Sequence, residues 1–182
     1  VIIPVGSGDP TEGEVDQSSL TFTPSDWNTP QTVTVTGQED DLDDGDVPYP
    51  IVIGPVVSTD VGYDGLDPSD VNVVNEDDDR AGISVSPTAG LETTEAGGEA
   101  QFSVVLDSEP TADVVIAVAS SDEAEGTVDQ ASLTFTASDW NAPQIVTIVG
   151  VDDDFDEADR TPFSVLLAPA PPPLQKVQRI LE

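Results

Sequence analysis

The chain has no cysteine, no histidine and no methionine, and only four basic residues among its 182. Lack of cysteine removes any disulfide framework and any thiolate ligand. Lack of histidine removes imidazole ligands and any side chain that ordinarily titrates near neutrality, so zinc and copper chemistry are not expected. Thirty-seven acidic residues bring the formal charge to -33. That excludes a phosphate-binding, nucleic-acid-reading surface and docking on an anionic membrane. No apolar run reaches the ~18 residues that span a bilayer, and no leader with a basic then apolar pattern opens the chain. These features together suggest an interior part of a longer, secreted protein.

What is present is written twice. GEVDQSSLTFTPSDWNTPQTVTVTG from Gly13 returns as GTVDQASLTFTASDWNAPQIVTIVG from Gly126, an offset of 113 residues with 18 of 25 positions identical. Such a period is too long for a solenoid turn and fits one autonomous domain of ~100 residues. The boundaries expected are 1–79 for a first repeat, 80–170 for a second, and 171–182 for a non-repeat tail or linker. At the fixed offset Val1 matches Val114, so the first copy lacks its opening strands. The second copy departs from the first after Ala168–Ala170 and lacks its last strand. Strand exchange between copies, giving a homo-oligomer or filament, is one expectation from this arrangement.

Runs rich in Val, Ile and Thr between turn residues predict strands at 1–5, 19–23, 31–36, 49–53 and 71–74. In the second copy they fall at 83–86, 100–106, 114–119, 132–136, 144–149 and 163–167. No body segment has a helical period. About seven short strands per repeat predict tandem immunoglobulin-like antiparallel β-sandwiches, both copies truncated.

Three carboxylate groups stand at strand ends: residues 39–46, residues 152–159, and Glu76–Asp79 at the junction. Bunched carboxylates repel unless a hard cation neutralises them, and recurrence at one place in both copies argues for a metal. Calcium takes six to eight oxygens in flexible geometry, whereas magnesium holds its waters, so Ca2+ is the ion expected. EDDLDDGD lacks the Asp-x-Asp-x-Asp-Gly spacing of an EF-hand. Solvated acidic turns are the bland alternative.

TEAGGEAQFSVVL, SLTFTASDWNAPQIVTIVGVDDDFDEAD and NEDDDRAGISVSP together resemble the Calx-β domain family over nearly all of residues 1–170. The resemblance implies a seven-stranded sandwich binding calcium at one tip, where loops and the interdomain linker converge. It assigns Asp9, Glu39, Asp40, Asp43, Asp46, Asp77, Asp78 and Asp79 to the first repeat's site. It assigns Glu95, Asp122, Asp152, Asp153, Asp156 and Asp159 to the second's.

Trp27 and Trp140 occupy equivalent SDWN turns and are expected to pack at the sheet end, with a sugar platform as the alternative. Without histidine the many serines and threonines have no evident activating base, and the paired carboxylates have no aromatic cleft beside them. Enzymatic activity is not expected. The function expected is a calcium-binding structural repeat of a large extracellular or cell-surface protein, an adhesin, stalk or filament, with neighbouring repeats as partners and calcium stiffening the linker. A calcium sensor controlling a partner, or a carbohydrate-binding accessory module, are the alternatives.

Overall fold

The computed structural model describes residues 1–152 and 164–169. Two compact units divide at Asp79/Arg80. The described residues form thirteen strands in antiparallel sheets and no helix, an architecture consistent with a β-sandwich.

The second unit contains β7 (Ile83–Ser86), β8 (Glu99–Leu106), β9 (Val114–Ser120), β10 (Gly126–Val128), β11 (Ser132–Phe135), β12 (Gln144–Gly150) and β13 (Val165–Pro169). One sheet runs β10-β12-β8-β7 and the other β11-β9-β13. Side chains on a strand alternate between faces, so each strand of a half-solvated sheet buries every second residue. In β8 that places Ala100, Phe102, Val104 and Leu106 inward. Phe102, Val104 and Leu106 meet Ile116 and Val118 of β9, Leu133 and Phe135 of β11, and Val146 and Ile148 of β12 in one core drawn from both sheets. Full burial of such side chains contributes about 1.5–3 kcal/mol each, less the cost of ordering them.

The first unit contains β1 (Ile2–Ser7), β2 (Gly13–Val15), β3 (Ser19–Thr21), β4 (Val35–Gly37), β5 (Val47–Ile53) and β6 (Val71–Asn75). A sheet of order β3-β1-β5-β6 is accompanied by the two-stranded ribbon β2-β4. Its buried cluster is smaller: Val5, Tyr49 and Ile51, with Val15, Leu20, Val33, Val35 and Val73 partly buried against it.

The two copies differ where their sequences do not. QTVTVTG was expected to form a strand over 31–36, as QIVTIVG does in β12, but only Val35–Gly37 is strand. The reason is the partner. β12 is paired along Gln144–Val149 by β8, whereas β4 pairs only with β2 among the described residues. The three-residue strands β2 and β10 carry too little periodicity to be visible in sequence. Trp140 is half-buried against the core, but Trp27 is 70% exposed and does not anchor a sheet end. The strand expected at 163–167 is β13, with Phe163 outside the described residues, as is the 171–182 tail.

Each SDWN turn is closed by one aspartate. Asp26 Oδ1 accepts from Thr23 N at 2.5 Å and Thr23 Oγ1 at 2.8 Å; Asp139 repeats this with Thr136 at 2.6 and 2.8 Å. These bonds favour the ionised form and hold both carboxyls below the usual range, the backbone amide contributing most.

Candidate metal centre

Strand pairing gathers three chain segments at one tip of the first unit. Gly13 of β2 faces Gly37 of β4, so Glu12 and Gln38 lie side by side, and Gln38 N donates to Glu12 O at 3.0 Å. Val47 of β5 faces Asn75 of β6, which brings the acidic loop ending at Asp46 against the segment beginning at Glu76. Asn75 ties the pairs together: its Nδ2 donates to Gln38 O at 2.8 Å and to Glu12 Oε2 at 3.3 Å. Two glycines make room for this. A Cβ on Gly37 would stand 2.6 Å from Asn75 Oδ1, and one on Gly13 would collide with the phenol oxygen of Tyr49.

The acidic loop is shaped by its own carboxylates. Asp77 accepts from Gly45 N at 2.7 Å through one oxygen and from Asp79 N at 2.8 Å through the other. Asp46 Oδ1 accepts from Asp77 N at 3.2 Å, and Asp40 Oδ1 from Leu42 N at 2.8 Å. Gly45 turns the chain at φ +77°, a left-handed conformation that glycine adopts without strain.

Two sets of three carboxylates result, Glu12–Asp40–Asp44 and Glu39–Asp78–Asp79, each with one oxygen per residue and all three within 4.8 Å of one another. An ion bonded at about 2.3–2.6 Å places its ligand oxygens at most about 5 Å apart, so both sets fit the donor chemistry of calcium. A cavity of about 20 Å³ lined by residues of both sets opens there, room for roughly one water-sized sphere. Electrostatics agree with the crowding. The charge of Asp78 is the main cause that pushes the Glu39 carboxyl upward, with burial and Asp79 adding to it. Asp79 is raised chiefly by burial and then by Asp77 and Asp78.

Of the sequence-derived residues, Glu39, Asp40, Asp78 and Asp79 come together. Asp77 and Asp46 brace the loop through backbone amides, and Asp43 is exposed in neither set. Asp9 is spent on a turn, accepting from Thr11 N at 3.1 Å and Thr11 Oγ1 at 2.5 Å, which lowers its pKa. Asp122 occupies the equivalent turn, accepting from Ala124 N at 3.1 Å. Glu95 lies in the exposed Thr94–Gly98 turn, and Asp152 is exposed just after β12. Among the described residues no comparable set forms in the second unit. Asp153, Asp156 and Asp159 lie outside them.

Sequence reasoning missed Glu12 and Asp44 as members of a set. The signal for Glu12 was present: a glutamate immediately precedes the glycine that opens β2 and again, as Glu125, the glycine that opens β10. Glu12 is 8% exposed, too buried for a merely solvating acid.

Comparison of the chain with family models, with curated proteins and with solved structures gave no match in any of the three.

Proposed function

We propose that the first unit is a calcium-binding structural module of a large extracellular or cell-surface protein. The observation that carries this is the convergence of six carboxylates from three chain segments into two compact sets. Like charges held so closely destabilise the fold unless a cation offsets them, and calcium matches their oxygen chemistry and loop setting, with second carboxylate oxygens, backbone carbonyls or waters completing its six to eight ligands. Glu12, Asp40 and Asp44 would hold one ion and Glu39, Asp78 and Asp79 another. Calcium would supply the positive charge that locks the tip.

Asp78 and Asp79 are the last residues before the unit boundary. An ion that fixes them restrains the chain as it leaves the unit, which supports a stiffened linker in a stalk, adhesin or filament built of such repeats.

Calorimetric titration of the chelated protein with calcium and with magnesium tests this. Calcium-selective heat at ~0.1–1 mM, the range of extracellular modules, together with a raised melting temperature, is the expected result. Binding at ~0.1–10 µM would instead favour a sensor, and no heat with no thermal shift would remove the metal reading.

A further inference from the structure

The outer face of the first unit's main sheet carries no charge. Val5, Tyr49 and Ile51 face the core, so alternation turns Ile2, Pro4 and Gly6 of β1 and Pro48, Pro50 and Val52 of β5 outward. The outward positions of β3 and β6 hold only Ser, Thr, Asn and Val. Ile2, Val52 and Val74 are 44%, 41% and 54% exposed, which makes the surface apolar as well as uncharged.

The second unit repeats the feature with other residues. Val115, Ala117 and Ala119 of β9 stand 113 residues after Ile2, Pro4 and Gly6; each differs from its counterpart and none is charged. Ser132 and Thr134 of β11 and Leu166 and Ala168 of β13 flank them, again without charge. About a quarter to a third of a soluble surface is ordinarily charged, and this chain has 37 acidic residues to place. What the two repeats share here is the exclusion of carboxylates. The exposure owes nothing to where the sequence begins, because strands of the β7 and β8 kind belong to the opposite sheet, across the core.

Charge also selects the occupant. A basic partner would be held through carboxylates, which this face withholds. In a two-fold contact each group meets a like group, so a carboxylate on the face would be opposed by others. A polyanion therefore meets its own copy through a face that has none. Pro, Gly and Ala supply much of the surface, and their burial costs no rotamer entropy. We propose that the outer face of each unit packs against the same face of a second copy of this chain. The outward residues of one unit amount to about half of the roughly 20–30 a side in a standard interface, so the contact is weak and reversible.

Sedimentation equilibrium of the full chain in chelator, carried to ~1 mM protein, reads an interface of this size. Association should strengthen from ~0.01 M to ~1 M salt, as the Debye length falls from ~30 to ~3 Å. Val52→Glu with Leu166→Glu, and separately Ile2→Glu with Val115→Glu, should weaken it at least about fivefold, whereas Ser84→Glu on the opposite sheet should change it less than about twofold. Circular dichroism melts check that the variants fold. A monomer at every salt concentration, association that weakens with salt, or an unchanged mass in both face variants overturns the proposal. Loss of association in Lys176→Glu with Arg179→Glu also overturns it and makes the basic tail the occupant.

Discussion

Glu12→Gln separates repulsion from ligation at the acidic tip. The Glu12 carboxylate lies within 4.8 Å of those of Asp40 and Asp44, and two unit charges at that distance in water repel by roughly 0.9 kcal/mol. Asp40 and Asp44 are exposed while Glu12 is buried, so water's dielectric gives the smallest repulsion these pairs can have. Neutralising Glu12 relieves both pairs, roughly 1.7 kcal/mol in the metal-free protein. Against this stands the bond from Asn75 Nδ2, long at 3.3 Å. A glutamine oxygen still accepts it, so the lost charge assistance costs about 0.5 kcal/mol. The net gain of about 1 kcal/mol raises the melting temperature of a unit this size by about 4–8 °C. Calcium reverses the sign, since the variant has lost an anionic ligand, and affinity falls at least about tenfold, or about 1.4 kcal/mol. Scanning calorimetry of chelated and calcium-loaded protein at low ionic strength reads both effects, and ~1 M salt should erase the metal-free gain. An unchanged or lower melting temperature in chelator, with the calcium-induced rise intact, would refute the electrostatic reasoning.

Acidification should act in two stages on the chelated first unit. Glu39 and Asp79 have raised pKa values, so the fold gains stability as pH falls from 7 through them, the gain being complete below the ordinary carboxylate range of ~4. Asp9 and Asp26 have lowered values, so their contribution, present above ~3.9, is lost as pH falls further through them. Thermal melts in half-unit steps should show a rise and then a fall, while the calcium-induced shift shrinks steadily; a monotonic fall from pH 7 would contradict this. Asp77→Ala removes the acceptor for Gly45 N and Asp79 N, and should weaken calcium binding at least about tenfold although Asp77 is in neither set, whereas Asp43→Asn should change it less than about twofold. Titration calorimetry of the two variants compares them, and a larger effect of Asp43→Asn would sink the assignment. Gly13→Ala drives a methyl into the buried Tyr49 phenol and should cost about 1–3 kcal/mol, read by denaturant unfolding; an unaltered midpoint would show that the ring moves aside.

Strand positions were legible wherever alternation ran for four or more residues, as in β8, β9 and β12, because half-burial imposes a period of two. The extent of β4 was not, because a strand is defined by its neighbour: nearly identical sequence yields three residues of strand in one copy and seven in the other. The acidic loop and junction announced themselves by charge, and five of their members do converge, Glu39, Asp40, Asp44, Asp78 and Asp79. Glu12 escaped because its one signal, recurrence as Glu125 in the second copy, does not say what it faces, and only the ladder from Gly13 to Gly37 brings it to the loop. The two tryptophans occupy the same words of sequence and differ in exposure through what covers them, which is a property of tertiary context.

The uncharged stretch from Thr29 to Gln38 also bears on how this protein keeps itself dispersed. Open sheet edges are commonly guarded locally by lysine, proline or a bulge. Pro30 is the one local guard within this stretch, and repulsion between chains otherwise comes from a polyanionic cloud set up by residues elsewhere in the sequence. A guard of that kind acts at a distance and dissolves in electrolyte, its reach falling to ~8 Å at ~0.15 M salt. Colloidal stability thus becomes a property of the medium. On the proposed calcium reading, ions held at the acidic tip would withdraw part of the same cloud, so the conditions that stiffen the module would also be those in which copies of the chain repel one another least.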